Sequence, residues 1–254
     1  MITIEAQNVN GAFAAAVWLI QKEQYTSTQE SRNGTTIEFV EPVATEYSRP
    51  AERVLFSPER DANPFFHFFE ALWMLAGRND VAFPASIVAR TAEYSDDGII
   101  AQAAYGHRWR RAFEVDQVEE IIKHLRVKPD SRRAVLTMWS PLWDFGGTWA
   151  SKDIPCNTQA YFKVRDGKLR MTVCCRSNDM LWGAYGANVV HFSMLQEYIA
   201  DKLGLLLGPY TQVSDSLHVY TGGPGGAVWE RVKNADLTSV CAYKRGDVTY
   251  LPMN

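Results

Sequence analysis

The stretch from Thr158 to Ser177 reads TQAYFKVRDGKLRMTVCCRS. Two runs rich in β-branched and aromatic residues flank Asp166-Gly167, a pair that tolerates the positive φ angles of a two-residue type I′ turn. The stretch is therefore read as an antiparallel hairpin in which Arg165 faces Lys168. Carried back along the strands, that register sets Cys156 opposite Ser177 and beside Arg176. A thiol, a guanidinium and a hydroxyl then share the open end of the hairpin. Strict alternation turns Arg176 and Ser177 to opposite faces. Bringing both to the thiol needs a twist or a bulge at the strand end.

Working outward, residues 11–24 read as a helix, and SRNGTT at 31–36 reads as a polar loop between that helix and a strand. NPFFHFFEALWMLAG at 63–77 is a helix with Pro64 in its first turn and Gly77 just past its end. QVEEIIKHL at 117–125 is an amphipathic helix, RRAVLTMW at 132–139 a strand, and NVVHFSMLQEYIADKL at 188–203 a long helix closed by Gly204. Helices alternating with strands imply an α/β (α+β) fold, a mixed β-sheet covered by helices. No internal repeat, low-complexity tract or Pro/Gly/Ser-rich linker divides the chain, so residues 1–254 are read as one domain.

The chain has 254 residues, 46% hydrophobic and 22% charged, with a formal net charge of −3. That balance lacks the basic excess of a nucleic-acid groove. No apolar run reaches the roughly 18 residues of a membrane helix, and the N-terminus has no basic segment of the kind that opens a signal peptide. Neither nucleic acid nor membrane is expected as a partner. The cysteines are Cys156, Cys174, Cys175 and Cys241, with no CxxC pair, and His107, His124, His191 and His218 are scattered. No metal site is expected. Few cysteines in so long a chain fit a reducing cytoplasm.

Cys156 has four readings from the sequence: a small buried hydrophobe, half of a disulfide, a metal ligand or a nucleophile. A guanidinium at Arg176 favours the thiolate, so it is expected to lower the thiol pKa and raise the nucleophilic fraction. Cys174 and Cys175 lie inside the strand and read as core. Glu70 is set among Phe66, Phe69, Leu72 and Trp73 on its helix. A carboxylate there is expected to hold its proton more tightly and to serve as a general acid or base; the alternative is a partly buried glutamate paired with an arginine. Arg132 and Arg133 stand together in PDSRRAV. With Arg32 in its polar loop and Arg176, they make up to four guanidiniums able to fork onto phosphate oxygens, against a solvated surface charge for any one of them.

PDSRRAVLTMW, IPCN, RSNDMLWGAYGAN and SLHVY occur in that order, with FFEALWMLAG and YGHRWR upstream. From about Arg32 to Tyr220 the chain resembles the thymidylate synthase family, which includes the pyrimidine-nucleotide hydroxymethylases. The resemblance implies that Cys156 adds to C6 of a pyrimidine deoxynucleoside monophosphate, giving C5 the electron density to attack a one-carbon unit. It implies that Arg32, Arg176 and Ser177 hold the 5′-phosphate, with Arg132 and Arg133 reaching in from the second subunit of a homodimer. Adjacent strand residues point to opposite faces, so this pair is not expected to serve one phosphate of its own subunit. Asn188 would read the base edge, while His218 and Tyr220 contact the sugar hydroxyl. Asp179 would contact the pterin of 5,10-methylenetetrahydrofolate, the co-substrate, and Glu70 and Tyr105 would organise water and proton transfer.

The chain departs from the synthases at several points. They usually carry tryptophans in the segment before YG, against the reacting methylene; SIVARTAEYSDDG has none, with Thr91 and Tyr94 at about those places. Asn157 stands where they have histidine after the cysteine, and the WGAYGAN loop is one residue longer. The chain also stops soon after Tyr220, at TYLPMN, without a counterpart of their apolar closing tail. Such departures let water reach the methylene and favour hydroxymethylation over reductive methylation. The Asn188 amide can donate to O4 and accept from N3–H of uracil, which favours dUMP over dCMP. The alternatives are a thymidylate synthase, a dCMP hydroxymethylase and, more distantly, a non-catalytic nucleotide-binding relic. The expected location is the cytoplasm, or the host cytoplasm if the source is a virus with modified DNA.

Overall fold

The structure is a computed structural model and describes residues 1–145, 151–237 and Tyr243. Cys241 and the closing TYLPMN lie outside the described residues. In chain order the strands are β1 (Ile2–Ala6), β2 (Thr26–Ser31), β3 (Gly34–Phe39), β4 (Val43–Tyr47), β5 (Val135–Thr137), β6 (Asn157–Arg165), β7 (Lys168–Asp179) and β8 (Leu206–Tyr220). The helices are α1 (Val9–Ile20), α2 (Pro64–Leu75), α3 (Ala82–Ile87), α4 (Tyr105–Arg110), α5 (Gln117–Val127), α6 (Asn188–Leu203) and α7 (Gly223–Val232). Short 3-10 turns cover Glu23–Tyr25 and Ala89–Tyr94, and π-helical turns cover Pro141–Phe145 and Met180–Ala187.

One mixed sheet runs β1-β4-β8-β7-β6-β5, with β3 on the far end of β8 and β2 outside it. β7–β8 and β1–β4 are parallel and the other pairs antiparallel. The mixed sheet with helices is the fold class read from the sequence. Its inner face carries Leu169, Met171, Val173, Ala160 and Phe162, all at most 1% exposed, beneath α6 residues Phe192, Leu195 and Ile199. The alternate residues Tyr161, Thr172, Cys174, Thr211 and Val213 are only partly covered. Among the described residues no helix is long and apolar enough to cross a membrane, and no group of three His, Cys, Asp or Glu is placed to hold a metal ion.

The β6–β7 hairpin forms at the expected turn. Asp166 and Gly167 have φ of 52° and 70°, and Arg165 pairs with Lys168. α2 begins at Pro64, capped by the Asn63 side chain on the Phe66 amide, and α6 ends at Gly204 with φ 67°. Three local readings need correction. The first helix is Val9–Ile20 rather than 11–24, because Asn8 caps it earlier and the chain turns into a 3-10 segment at Glu23. SRNGTT is not a loop between helix and strand: Ser31 pairs with Gly34, and Arg32 and Asn33 form the tip of the β2–β3 hairpin. The strand expected at 132–139 is only Val135–Thr137, so Arg132 and Arg133 are not adjacent strand residues, and the argument from opposite faces loses its premise.

Candidate active site

The hairpin register carries from the turn up to Gln159, which pairs with Cys174, and then slips by one residue at Thr158, so that Asn157 faces Cys175. The slip is a β-bulge, one extra residue on β6. It overturns the expected pairing of Cys156 with Ser177. Arg176 instead lies opposite Cys156, its amide donating to the Cys156 carbonyl at 2.8 Å. The bulge thus brings Arg176 to Cys156 and moves Ser177 out of the expected pairing. Arg176 Nε donates to the Pro155 carbonyl at 3.0 Å, and Nη2 reaches the Ile154 carbonyl at 3.4 Å and Cys156 Sγ at 3.9 Å. The guanidinium lies over the Trp139 ring, 5.7 Å from its centroid. Beside it opens a cleft of about 510 Å³ lined by Thr137, Trp139, Pro141, Thr158, Gln159 and Arg176.

Cys156 is a free thiol, as are Cys174 and Cys175. Burial pushes the Cys156 thiol up, and Arg176 and then Arg32 pull it down by less. The expected lowering by Arg176 is therefore present but outweighed by desolvation. Arg32, at the tip of the β2–β3 hairpin, donates to the carbonyls of Ser151 and Lys152 at 3.3 and 3.2 Å. Arg32 and Arg176 thus grip neighbouring carbonyls of the one segment that leads into Cys156.

Arg132 and Arg133 are not part of this group. Both are exposed, and their side chains make no hydrogen bond or ion pair among the described residues. The Ala134 carbonyl, next in sequence, accepts from Phe162 N. Phe162 is six residues along β6 from Cys156, about 20 Å at the rise of a strand. An arginine side chain does not bridge that distance within one subunit.

Tyr105 opens α4, and its hydroxyl accepts from the backbone amides of Cys156 and Asn157 at 3.1 and 3.2 Å. Burial, then Cys156 and Cys175, push its pKa far up, so it keeps its proton. With both lone pairs engaged, that hydroxyl has its hydrogen left to give. Gly106 lets α4 lie close against α2: a Cβ there would sit 2.0 Å from the Met74 carbonyl oxygen. Asn157 is fully buried and neither atom of its amide has a hydrogen-bond partner among the described residues.

Asn188 is the first residue of α6, and its Nδ2 donates to Asn178 Oδ1 at 3.0 Å; Asn178 Nδ2 in turn donates to Ser214 Oγ at 3.0 Å. That chain orients the Asn188 amide and leaves Oδ1 and one N–H for a ligand. Most of WGAYGAN lies in the π-helical Met180–Ala187, a form that takes up one more residue per turn. Asp179 caps that segment, with Oδ1 accepting from the Leu181 and Trp182 amides at 2.7 Å each. Burial pushes its carboxyl up, against those two amides, His218 and Arg60. β7 and β8 pair Asp179 with His218 and Ser177 with Ser216. The His218 and Tyr220 rings meet edge-on at 5.3 Å, and Asn33 Nδ2 reaches Tyr220 Oη at 3.4 Å, tying the Arg32 turn to β8.

Glu70, on α2, does not pair with an arginine among the described residues. Its Oε2 lies 2.9 Å from His191 Nε2 on α6. Thr91 and Tyr94 lie on the 3-10 turn; the Thr91 hydroxyl donates to the Val88 carbonyl and Tyr94 is 61% exposed. Neither contacts Cys156 among the described residues.

Sequence reasoning missed three contributors. Arg60, buried at 3% exposure, donates from Nε to the Leu181 carbonyl at 2.6 Å and stacks on Trp182 at 4.2 Å, next to Asp179. Asp153 accepts from the Gln102 and Ala103 amides and so clasps the segment before Cys156 to the one before Tyr105. Asn178 sets the Asn188 amide. Only Asn178 left a signal, as a polar residue within a core strand.

The thymidylate synthase model matches residues 15–233. The chain is similar to the deoxyuridylate hydroxymethyltransferase of Pseudomonas phage M6, 52% identical over 221 residues, covering 87% of this chain and 62% of that protein. It is similar to proteins of the same name from Bacillus phage SP01, 39% identical over 210 residues (79% and 55%), and from Delftia phage PhiW-14, 31% identical over 201 residues (76% and 55%). The matched part of the chain thus corresponds to between 55% and 62% of the length of these relatives. With a family model that matches residues 15–233 and so spans the hairpin, α6 and most of the sheet, the chain belongs to the thymidylate synthase family.

Proposed function

We propose that this chain carries out folate-dependent hydroxymethylation at C5 of dUMP through a covalent bond from Cys156 to C6. The observation that carries the reading is the bulge at Thr158, which sets Arg176 opposite Cys156 with Nη2 3.9 Å from the sulfur, while Arg32 grips the same segment. Two forked guanidiniums beside a thiol suit a substrate with a phosphate and an electrophilic ring carbon. Because burial keeps the resting thiol protonated, its proton leaves as sulfur adds to C6. Ser177 joins the phosphate grip, Asn188 reads the uracil edge, and His218 with Tyr220 receives the sugar hydroxyl. Tyr105 keeps its phenolic proton and donates a hydrogen bond towards the reacting base.

The co-substrate in this reading is 5,10-methylenetetrahydrofolate. The fit rests on Asp179, whose Oδ2 carries no hydrogen bond among the described residues, next to the half-exposed Trp182 indole under Arg60. An open carboxylate oxygen beside a flat ring suits the N–H edge and face of a pterin. Asp179, Trp182 and Tyr94 would hold it, and it would supply the one-carbon unit. Hydroxymethyl rather than methyl product is supported by the lack of tryptophan from Ser86 to Gly98, by the exposure of Tyr94, and by the names of the phage relatives. Glu70 is the base that activates water.

The working unit is a homodimer. Arg132 and Arg133, which adjoin Ala134 beside Phe162 and so lie away from Cys156 in their own chain, supply the remaining phosphate charge to the neighbour through the cleft beside Arg176. The place of action is the cytoplasm of the host cell. Mass analysis of the product from dUMP and from dCMP, each with methylenetetrahydrofolate, tests the reading. It expects 5-hydroxymethyl-dUMP; a methylated nucleotide, or dCMP as the better substrate, overturns it.

A further inference from the structure

Behind Glu70 lies an imidazole that the reaction as described does not use. His191 is 3% exposed, and neither ring nitrogen has an aligned hydrogen-bond partner among the described residues. Its Nε2 is nevertheless 2.9 Å from Glu70 Oε2, close enough to pass a proton though out of line for a settled bond. A buried polar ring left without a settled partner is unusual in a native protein.

The place of His191 on α6 ties it to the site. Asn188, His191 and Phe192 are three and four residues apart on one helix face. Asn188 is held by Asn178, and Phe192 packs on the Tyr105 ring at 6.0 Å, whose hydroxyl holds the Cys156 amide. His191 is thus the middle member of the wall that also carries the base reader and the support of the nucleophile. The titratable groups facing it are Glu70 and His67, both from α2, with Arg60 beyond His67. Arg60 Nη2 and His67 Cε1 lie 3.3 and 3.8 Å from where a Gly186 Cβ would be. His67 is lowered to about 4, by burial first and then by His191, so it stays neutral near pH 7 and does not compete for a proton.

We propose that His191 is a positioning residue for the water-activating step, holding the Glu70 carboxylate in place and taking from it the proton gained from water. This rests on the hydroxymethylation reading above. In the step, a water O–H bond breaks and its proton goes to Glu70, while the oxygen bonds to the exocyclic carbon on C5. The electron pair released re-forms the C5–C6 double bond and expels the Cys156 thiolate from C6. The proton then passes from Glu70 to His191 Nε2 and on to solvent, which returns the carboxylate for the next turnover.

The test is a single turnover of His191→Gln in the full chain, with enzyme in excess over dUMP and methylenetetrahydrofolate present, in which release of C5 tritium and formation of product are followed separately. Glutamine can donate to Glu70 from a similar position but cannot take up its proton. Product formation is expected to slow about 100-fold, the low end for losing an acid–base partner, with dUMP binding and the rate of tritium release little changed. Hydroxymethylated product at the parental rate, or tritium release and product falling in parallel, overturns the proposal alone. A methylated product from the unsubstituted chain overturns both the proposal and the reading beneath it. Should His191→Gln not fold, Glu70→Gln supplies a second measurement. The ¹⁵N resonances of the His191 ring are expected to change in that variant, and an unaltered ring overturns the proposal.

Discussion

Replacing Arg176 with glutamine tests the arrangement that the bulge creates. Two opposing forces act on the Cys156 thiol: burial raises its pKa, and the guanidinium 3.9 Å away lowers it. A unit charge at that distance is worth about 4 kcal/mol at an effective dielectric constant of 20 and about 1 kcal/mol in bulk water. Arg176 is exposed, so solvent screening places the coupling at the low end, about 1–2 kcal/mol. At 1.36 kcal/mol per unit, Arg176→Gln is expected to raise the thiol pKa by about one unit and to slow alkylation at neutral pH about tenfold. Tryptic cleavage after Lys152 and Lys163 gives a peptide, DIPCNTQAYFK, in which Cys156 is the sole cysteine. Its alkylation by iodoacetamide can therefore be followed against pH by mass spectrometry without interference from Cys174 or Cys175.

The sign of the change separates charge from scaffolding. Arg176 also anchors the Pro155 and Ile154 carbonyls. If that anchoring were its whole role, Arg176→Gln would loosen the turn, admit water and lower the thiol pKa. An unchanged or lowered midpoint refutes the electrostatic reasoning. Arg176→Lys keeps the charge and loses the fork, so its midpoint is expected to stay within about half a unit of the parent while phosphate affinity falls.

The Arg108–Asp144 pair is buried on both sides, at 3% and 2% side-chain exposure, with bonds of 2.7 and 2.9 Å. Asp144→Ala leaves an uncompensated buried cation and should cost about 3–5 kcal/mol, read from urea unfolding; a loss below about 1 kcal/mol contradicts a buried pair. His67, lowered to about 4 from 6.5, takes up fewer protons folded than unfolded between those values. Its contribution, on the order of 3 kcal/mol, is present above pH 6.5 and lost as pH falls to 4; His67→Phe should flatten that part of the stability profile, and an unaltered slope removes the assignment. Mixing Cys156→Ser and Arg133→Ala subunits, each inactive alone, should restore part of the activity if arginines are shared between subunits. No recovery despite demonstrated exchange counts against a shared site.

The parts of the fold that were legible in the sequence are those fixed by local chemistry. Asp166-Gly167 admits few turns, Pro64 and Gly204 mark helix ends wherever the chain goes, and α5 shows its apolar face. β2 was invisible for the converse reason. TSTQES is partly or fully exposed at every position, so no burial imposed an apolar alternation on it. β5 was overread because RRAVLTMW suits a strand throughout, whereas its pairing with β6 covers only Val135–Thr137. Arg60 comes from a loop with no periodicity, and its role depends on a carbonyl 121 residues away.

The irregularities at the site share one physical form. The bulge at Thr158 and the π-helical Met180–Ala187 each depart from regular geometry by a single residue, and neither has a compositional signature. A one-residue slip in a strand turns every following side chain to the other face. At Thr158 that slip trades Ser177 for Arg176 as the partner of Cys156, a hydroxyl for a cation. The π segment ends where α6 begins, with Asn188 in place against Asn178 and His191 against Glu70. Regular strands and helices in this chain supply the rigid frame, and the bulge at Thr158 and the π-helical Met180–Ala187 set which groups lie beside Cys156 and Asn188. A reading that carries ideal registers through a site therefore finds the right segments and assigns some wrong neighbours, which is what happened to Ser177.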